Sequence, residues 1–145
     1  MSGEARIARL ERVRRHQQDL AGALLKQAQR EREAAQATAS ALRAAREAAQ
    51  EAAQAAAAVP QPASSWLAQR LLVEGRLEKE RLAELASRRL ARQEALRRVD
   101  LRAARVRVEQ MRALGAQLSA RSAQRDQRLE QRVLDDLRRE GGEAL

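Results

Sequence analysis

Apolar residues along this chain recur mostly at spacings of three and four. That is the period of a helix laying one face against a partner, whereas a half-buried strand would alternate in twos. A heptad frame counted from Ile7 puts Ile7, Arg14, Ala21, Ala28, Ala35, Leu42, Ala49 and Ala56 at one seam position. The other seam position falls on Leu10, Gln17, Leu24, Glu31, Thr38, Ala45, Ala52 and Val59. Seven of the first eight and five of the second eight are apolar, which predicts a thin seam rich in alanine. A later run carries Leu67, Leu71, Leu77, Leu82, Leu85, Leu96, Val99, Val106, Met111, Leu114, Leu118, Leu129, Val133 and Leu137. Its spacing is irregular between Leu77 and Leu82 and between Leu118 and Leu129, where the stripe is expected to rotate around the helix.

Between the two runs stands Val59-Pro60-Gln61-Pro62-Ala63-Ser64-Ser65-Trp66, which holds both prolines and the only tryptophan. Proline has no N–H to donate and its ring collides with the preceding turn, so this pair ends a helix. The Ser64-Ser65 pair can accept from the free N–H groups of a new one. The pattern predicts an all-α chain: two long helices forming an antiparallel coiled-coil hairpin, the second longer, in one domain over 1–145. The helices are expected at about 4–58 and 65–140, with the turn at 59–65. Ser2 is the expected cap of the first helix, and Gly141-Gly142 the stop signal of the second. Glu84–Arg88, Glu94–Arg98 and Asp135–Arg139 are spaced as favourable i,i+4 ion pairs. At 1.5 Å per residue the helices would be roughly 80 and 115 Å long. Pairing outward from the turn therefore uses the second helix to about Ala120. Residues 121–140 overhang, with Leu129, Val133, Leu134 and Leu137 lacking a partner in the chain, and such an end is a candidate docking element.

Composition narrows the fold class further. Of the 145 residues 44% are hydrophobic, but much of that is alanine, aromatics are 1%, and Phe and Tyr are absent. Such a chain cannot fill a globular core and suits a narrow helix–helix seam. No cysteine is present, which excludes disulfides, thiolate ligands and cysteine nucleophiles. The start, Met1-Ser2-Gly3-Glu4, has no apolar segment of the secretory kind, and no run approaches the roughly 18 apolar residues of a membrane span.

Chemistry-bearing residues are few. His16 is the only histidine, so neither a histidine metal cluster nor a Ser-His-acid system can be assembled, and it reads as a helix-surface residue. Asp135-Asp136 reads as a charged helix face, since adjacent helical residues point apart. There is no glycine-rich phosphate loop. The chain is therefore expected to have no catalytic residue, cofactor or metal, and not to be an enzyme. Net charge is +9, and residues 88–112 hold nine basic residues against three acidic ones. That field attracts acidic partners. Nucleic acid is disfavoured, because no aromatic residues are available for base stacking and no long leucine heptad follows the cluster. Trp66, taken alone, reads as a packed cap on the hairpin.

Two stretches carry a family resemblance. One is Ala63-Ser64-Ser65-Trp66-Leu67-Ala68-Gln69-Arg70-Leu71-Leu72, followed by Leu77-Glu78-Lys79. The other is Leu118-Ser119-Ala120-Arg121 through Arg128-Leu129-Glu130-Gln131-Arg132-Val133-Leu134-Asp135-Asp136-Leu137. Together with the two-helix layout they resemble the FliJ/YscO family, central-stalk proteins of flagellar and injectisome type III secretion. The resemblance implies a non-enzymatic stalk that inserts into the hexameric export ATPase and couples it to the membrane export gate. It implies export chaperones as further partners and a cytoplasmic place, peripheral at the inner-membrane face. It makes Leu129, Arg132, Val133 and Leu137 contacts of the ATPase pore. Leu42, Trp66 and Leu72 become contacts of the export gate. Flagellar members carry more aromatics at the tip, where Ala45, Ala49 and Leu72 stand here, which favours an injectisome member. From the residues alone, the alternatives are a coiled-coil scaffold or adaptor that oligomerises through its seams, and an amphipathic binder of membrane surfaces or nucleic acid.

Overall fold

The computed structural model describes residues 2–143. It contains two α-helices, α1 (Gly3–Ala57) and α2 (Ala63–Glu143), and no strand among the described residues. The helices pack on one another as an all-α hairpin whose second helix is the longer. Positions 1, 144 and 145 of the domain expected over 1–145 lie outside the described residues.

The ends of the helices follow from local hydrogen bonding. The Ser2 hydroxyl accepts from the Ala5 N–H at 3.2 Å and its carbonyl from the Arg6 N–H at 3.2 Å, closing the first turn of α1. At the other end the Ala58 and Val59 N–H groups tighten onto the carbonyls of Ala55 and Ala56 at 3.3 and 3.2 Å. The Gln61 side-chain amide also donates to the Ala56 carbonyl, at 2.8 Å, giving that end-of-helix acceptor a second partner. Pro62, not the serine pair, starts α2. Its carbonyl accepts from the N–H groups of Ser65 and Trp66 at 3.0 and 3.4 Å, so Ser64 and Ser65 lie inside the first turn. A proline needs no N–H partner at a helix start, and its fixed φ suits that position. The expected glycine stop also fails: Gly141 and Gly142 lie within α2, and no described glycine takes the positive φ that such a stop requires.

The chain divides into two compact units. One takes the residues up to Leu20 and from Arg102 onward. In it the two helices run antiparallel, because α2 numbers fall as α1 numbers rise. A Cβ built on Gly3 would lie 3.8 Å from Leu118, one built on Gly115 would lie 3.5 Å from Ile7, and Arg112 pairs with Glu11 at 3.4 Å. Ala104 and Val108 are buried here, and Val108, at 3% exposure, is the most buried described residue. The other unit runs from Ala21 to Leu101 and includes the turn. It too is antiparallel: Arg32 pairs with Glu94, and Arg46 pairs with Glu80 at 2.6 Å. Ala28, Glu80 and Glu94 are its buried residues.

The seam is not the one that polarity predicts. In α1 the set counted from Ile7 (7, 14, 21, 28, 35, 42, 49, 56) does turn inward. The second inward set is 11, 18, 25, 32, 39, 46 and 53, one residue later than expected. Leu10 and Leu24 are exposed in consequence, and Val59 is exposed beyond the end of α1. The shift brings Glu11, Gln18, Arg32 and Arg46 to the seam, which a hydrophobic scan rejects. Long polar side chains can sit there because their stems pack and their heads find partners. In α2 only Met111 and Leu118 of the expected apolar stripe are half-buried; Leu67, Leu71, Leu77, Leu82, Leu85, Leu96, Val99, Val106 and Leu114 are exposed. Nor does the seam rotate between Leu77 and Leu82, since inward positions 73, 76, 80 and 83 keep the three-four step. Of the expected i,i+4 pairs Glu94–Arg98 forms, at 2.6 Å. Glu84 is half-buried and its charge helps to raise Arg46, and Asp135 and Arg139 are both exposed to water, which competes for them.

Candidate functional site

The site begins where α1 ends as a partner. Gly3 and Glu4 share a groove with Leu118, Arg121, Ser122 and Arg125. Every described residue of α2 from 123 to 143 is then exposed. Leu129, Val133, Leu134 and Leu137 stand out of this stretch with more than half of their surface in water. At 3.6 residues per turn, Leu129, Arg132, Val133 and Leu137 fall within about 140° of the helix circumference. These four candidate contacts therefore form one face, reachable by a single partner surface. Its charge is mixed: five arginines and six carboxylates lie between 123 and 143, so the positive excess of the chain resides elsewhere. None of them forms an ion pair within 4.0 Å among the described residues, where the last one along α2 joins Arg112 to Glu11. Docking on this end would rest on the apolar stripe, with charge selecting the orientation.

The three candidate contacts at the tip are not gathered. Trp66 keeps 45% of its surface exposed. It lines an open groove of about 600 Å³ with Gln50, Ala53, Gln54, Gln69, Arg70, Val73 and Glu74. It is not the packed cap that its sequence position suggests, because the Gln61 amide and the Pro62 carbonyl already close the turn. Leu72 is exposed but outside that groove. Leu42 is half-buried on the seam face of α1, where it cannot also serve a partner fully.

Sequence reasoning missed the polar residues that set the pairing of the helices. Arg46 grips Glu80 through two hydrogen bonds, at 2.6 Å from Nε and 3.2 Å from a terminal nitrogen, and adds one to Gln50 at 2.8 Å. Glu94 accepts from Arg32 across the seam and from Arg98 along its own helix at 2.6 Å. Arg76 reaches across to the Ala45 carbonyl at 3.1 Å. Glu80 and Glu94 keep only 5% and 4% of their surface exposed. The hydrogen bond from Arg46 holds the Glu80 carboxyl below its ordinary range, against burial, with the charges of Arg46 and Arg43 adding to it. The same bond raises Arg46. A signal was present: Arg32 and Arg46 are fourteen residues apart, and so are Glu80 and Glu94 on the other side of the prolines. Two equal two-heptad spacings facing each other across a turn are what paired ions in an antiparallel seam require.

His16 is exposed, and no three His, Cys, Asp or Glu residues are placed to hold a metal among the described residues. No described helix is long and apolar enough to cross a membrane. Comparison with protein-family models, curated proteins and solved structures found no match for the chain.

Proposed function

We propose that this chain is a non-enzymatic central stalk of a type III secretion export apparatus. It inserts the 123–143 end of α2 into the hexameric export ATPase and directs the Trp66 end toward the membrane export gate, in the cytoplasm against the inner membrane. The observation that carries the reading is the unpartnered stripe of Leu129, Val133 and Leu137, which continues α2 past the start of α1. The motifs around Trp66 and over 118–137 supply the family. One shaft inside a six-fold ring touches only some subunits at a time, so it favours one conformational state in those it touches. Arg132 belongs to the same face and would set the orientation by pairing with a carboxylate of the ring. Trp66 and Leu72 are the gate contacts open to a partner, while Leu42 is held in the seam. Export chaperones are further partners of the same stalk.

The test uses the full chain with Leu129→Asp, Val133→Asp and Leu137→Asp together. These positions are exposed, so helical content by circular dichroism stays that of the parent. Affinity for the purified export ATPase hexamer is expected to fall by at least about a hundredfold, as for loss of a hot-spot cluster. Unchanged affinity would show that this end is not the ATPase contact.

A further inference from the structure

A second exposed surface lies on the opposite side of α2 from the seam, over residues 82–99. Leu82 and Leu85 form one apolar turn and Leu96 and Val99 another, each with more than half of its surface in water. Between them stand Arg88, Arg89 and Arg92. At 3.6 residues per turn these seven residues fall within about 120° of the helix circumference, centred away from buried Glu80 and Glu94. The three arginines have no carboxylate within 4.0 Å among the described residues, although their neighbours do. Arg81 pairs with Glu78 at 4.0 Å, Arg97 with Asp100 at 3.8 Å and Arg98 with Glu94 at 2.6 Å. Glu84, the residue spaced to neutralise Arg88, is half-buried instead.

We propose that this face docks an amphipathic helix bearing a carboxylate-rich turn between two apolar turns. The order apolar, basic, apolar along the face selects that partner. Two apolar patches three turns apart match a helix lying along α2, and the three free guanidiniums between them call for acceptors at that point. A second copy of this chain is a poor occupant: the two-fold arrangement that sets Leu85 against Leu96 also sets Arg89 against Arg92, and a parallel one sets each arginine against itself. An anionic membrane is a poor one too. A helix lying on lipid keeps its apolar stripe continuous and its cations along the flanks, whereas here the arginines interrupt the stripe. This face is separate in sequence from the 123–143 end, so its fate does not depend on the stalk reading.

The test titrates the full chain with a labelled synthetic helix of about 18 residues, five turns long, that carries leucine pairs eleven apart and three glutamates between them. Its analogue with three glutamines, and vesicles of phosphatidylserine and phosphatidylcholine, form the other arms. The glutamate peptide is expected to bind, and more weakly as salt rises. Arg88→Gln, Arg89→Gln and Arg92→Gln together, or Leu85→Ser with Leu96→Ser, should each weaken it by about tenfold or more with helical content unchanged. The glutamine peptide should bind as weakly to the parent as the glutamate peptide does to the arginine variant. Absence of binding, equal binding of both peptides, preference for vesicles, or sedimentation as a dimer that the arginine variant leaves intact would each overturn the proposal.

Discussion

Aspartate in place of Val108 is expected to cost the fold about 4 kcal/mol, while aspartate in place of Val106 should cost no more than about 0.5 kcal/mol. The two valines are separated by a single residue and look alike in the sequence. Val108 retains 3% of its surface and Val106 retains 50%. Two residues along a helix is about 200° of rotation, so one valine meets α1 and the other meets water. At position 108 a carboxylate would lose most of its hydration on entering the seam, beside Ala104 and Met111 of its own helix. A domain of this size has only about 5–15 kcal/mol of stability, so Val108→Asp removes a large share of it. Urea titration followed by circular dichroism measures both variants. Similar midpoints for the two would mean that the seam of α2 is not where Val108 places it.

Reversing Arg32 and Arg46 together to glutamate is expected to abolish cooperative thermal unfolding at neutral pH. Adding Glu80→Arg and Glu94→Arg should restore most of it. Glu80 and Glu94 are nearly out of water; Glu80 takes its hydrogen bonds from Arg46 of α1, and Glu94 takes one from Arg32 of α1 and one from Arg98 of its own helix. With glutamates at 32 and 46 the seam would hold carboxylate against carboxylate at two places, Glu80 stripped of both its hydrogen bonds and Glu94 left with Arg98 alone. Arg43→Glu is the control, because Arg43 is exposed and lies 3.7 Å from Glu80 without gripping it. The pair also dictates a pH dependence. Arg46 lowers the Glu80 carboxyl from its ordinary value of 4.5. A depressed carboxyl stabilises the fold above the unfolded value and loses that contribution as pH falls through the folded one. The melting temperature of the parent should therefore drop as pH goes below about 4.5, and Glu80→Gln should show a smaller drop over the same window.

The fold was largely legible in the sequence and the seam was only half so. Pro60 and Pro62 mark the turn whatever the partners do, since neither can continue a helix. The seven-residue recurrence from Ile7 survives because alanine tolerates close helix approach. What polarity could not supply was the phase of the other inward set. Glu11, Arg32 and Arg46 look like solvent residues until the opposite helix provides Arg112, Glu94 and Glu80. The leucines then misled: Leu10, Leu24, Leu82 and Leu96 are large and apolar, yet the ion pairs fix a rotation that turns them outward. The same applies at the tip, where the apolar character of Leu42 was plain but its place in the seam was not. An overhanging end, expected over 121–140, was readable from helix lengths because a longer second helix must outrun its partner; its continuation through Gly141 and Gly142 was not.

The position of the free end joins the seam to the proposed function. Within its own unit, the Glu11–Arg112 pair and the approach of Gly3 to Leu118 set where α1 stops covering α2. Everything beyond Ser122 is then available to a partner, and the apolar stripe through Leu129, Val133 and Leu137 is what that partner would cover.

The absence of cysteine allows this to be measured directly. Single Leu129→Cys, Val133→Cys, Leu137→Cys and Leu96→Cys versions of the full chain would be labelled with a maleimide, free and bound to the assembled ATPase hexamer. The account predicts that binding slows labelling at 129, 133 and 137 and leaves position 96 at its unbound rate. Equal labelling of 129, 133 and 137 in the free and ring-bound chain would contradict it.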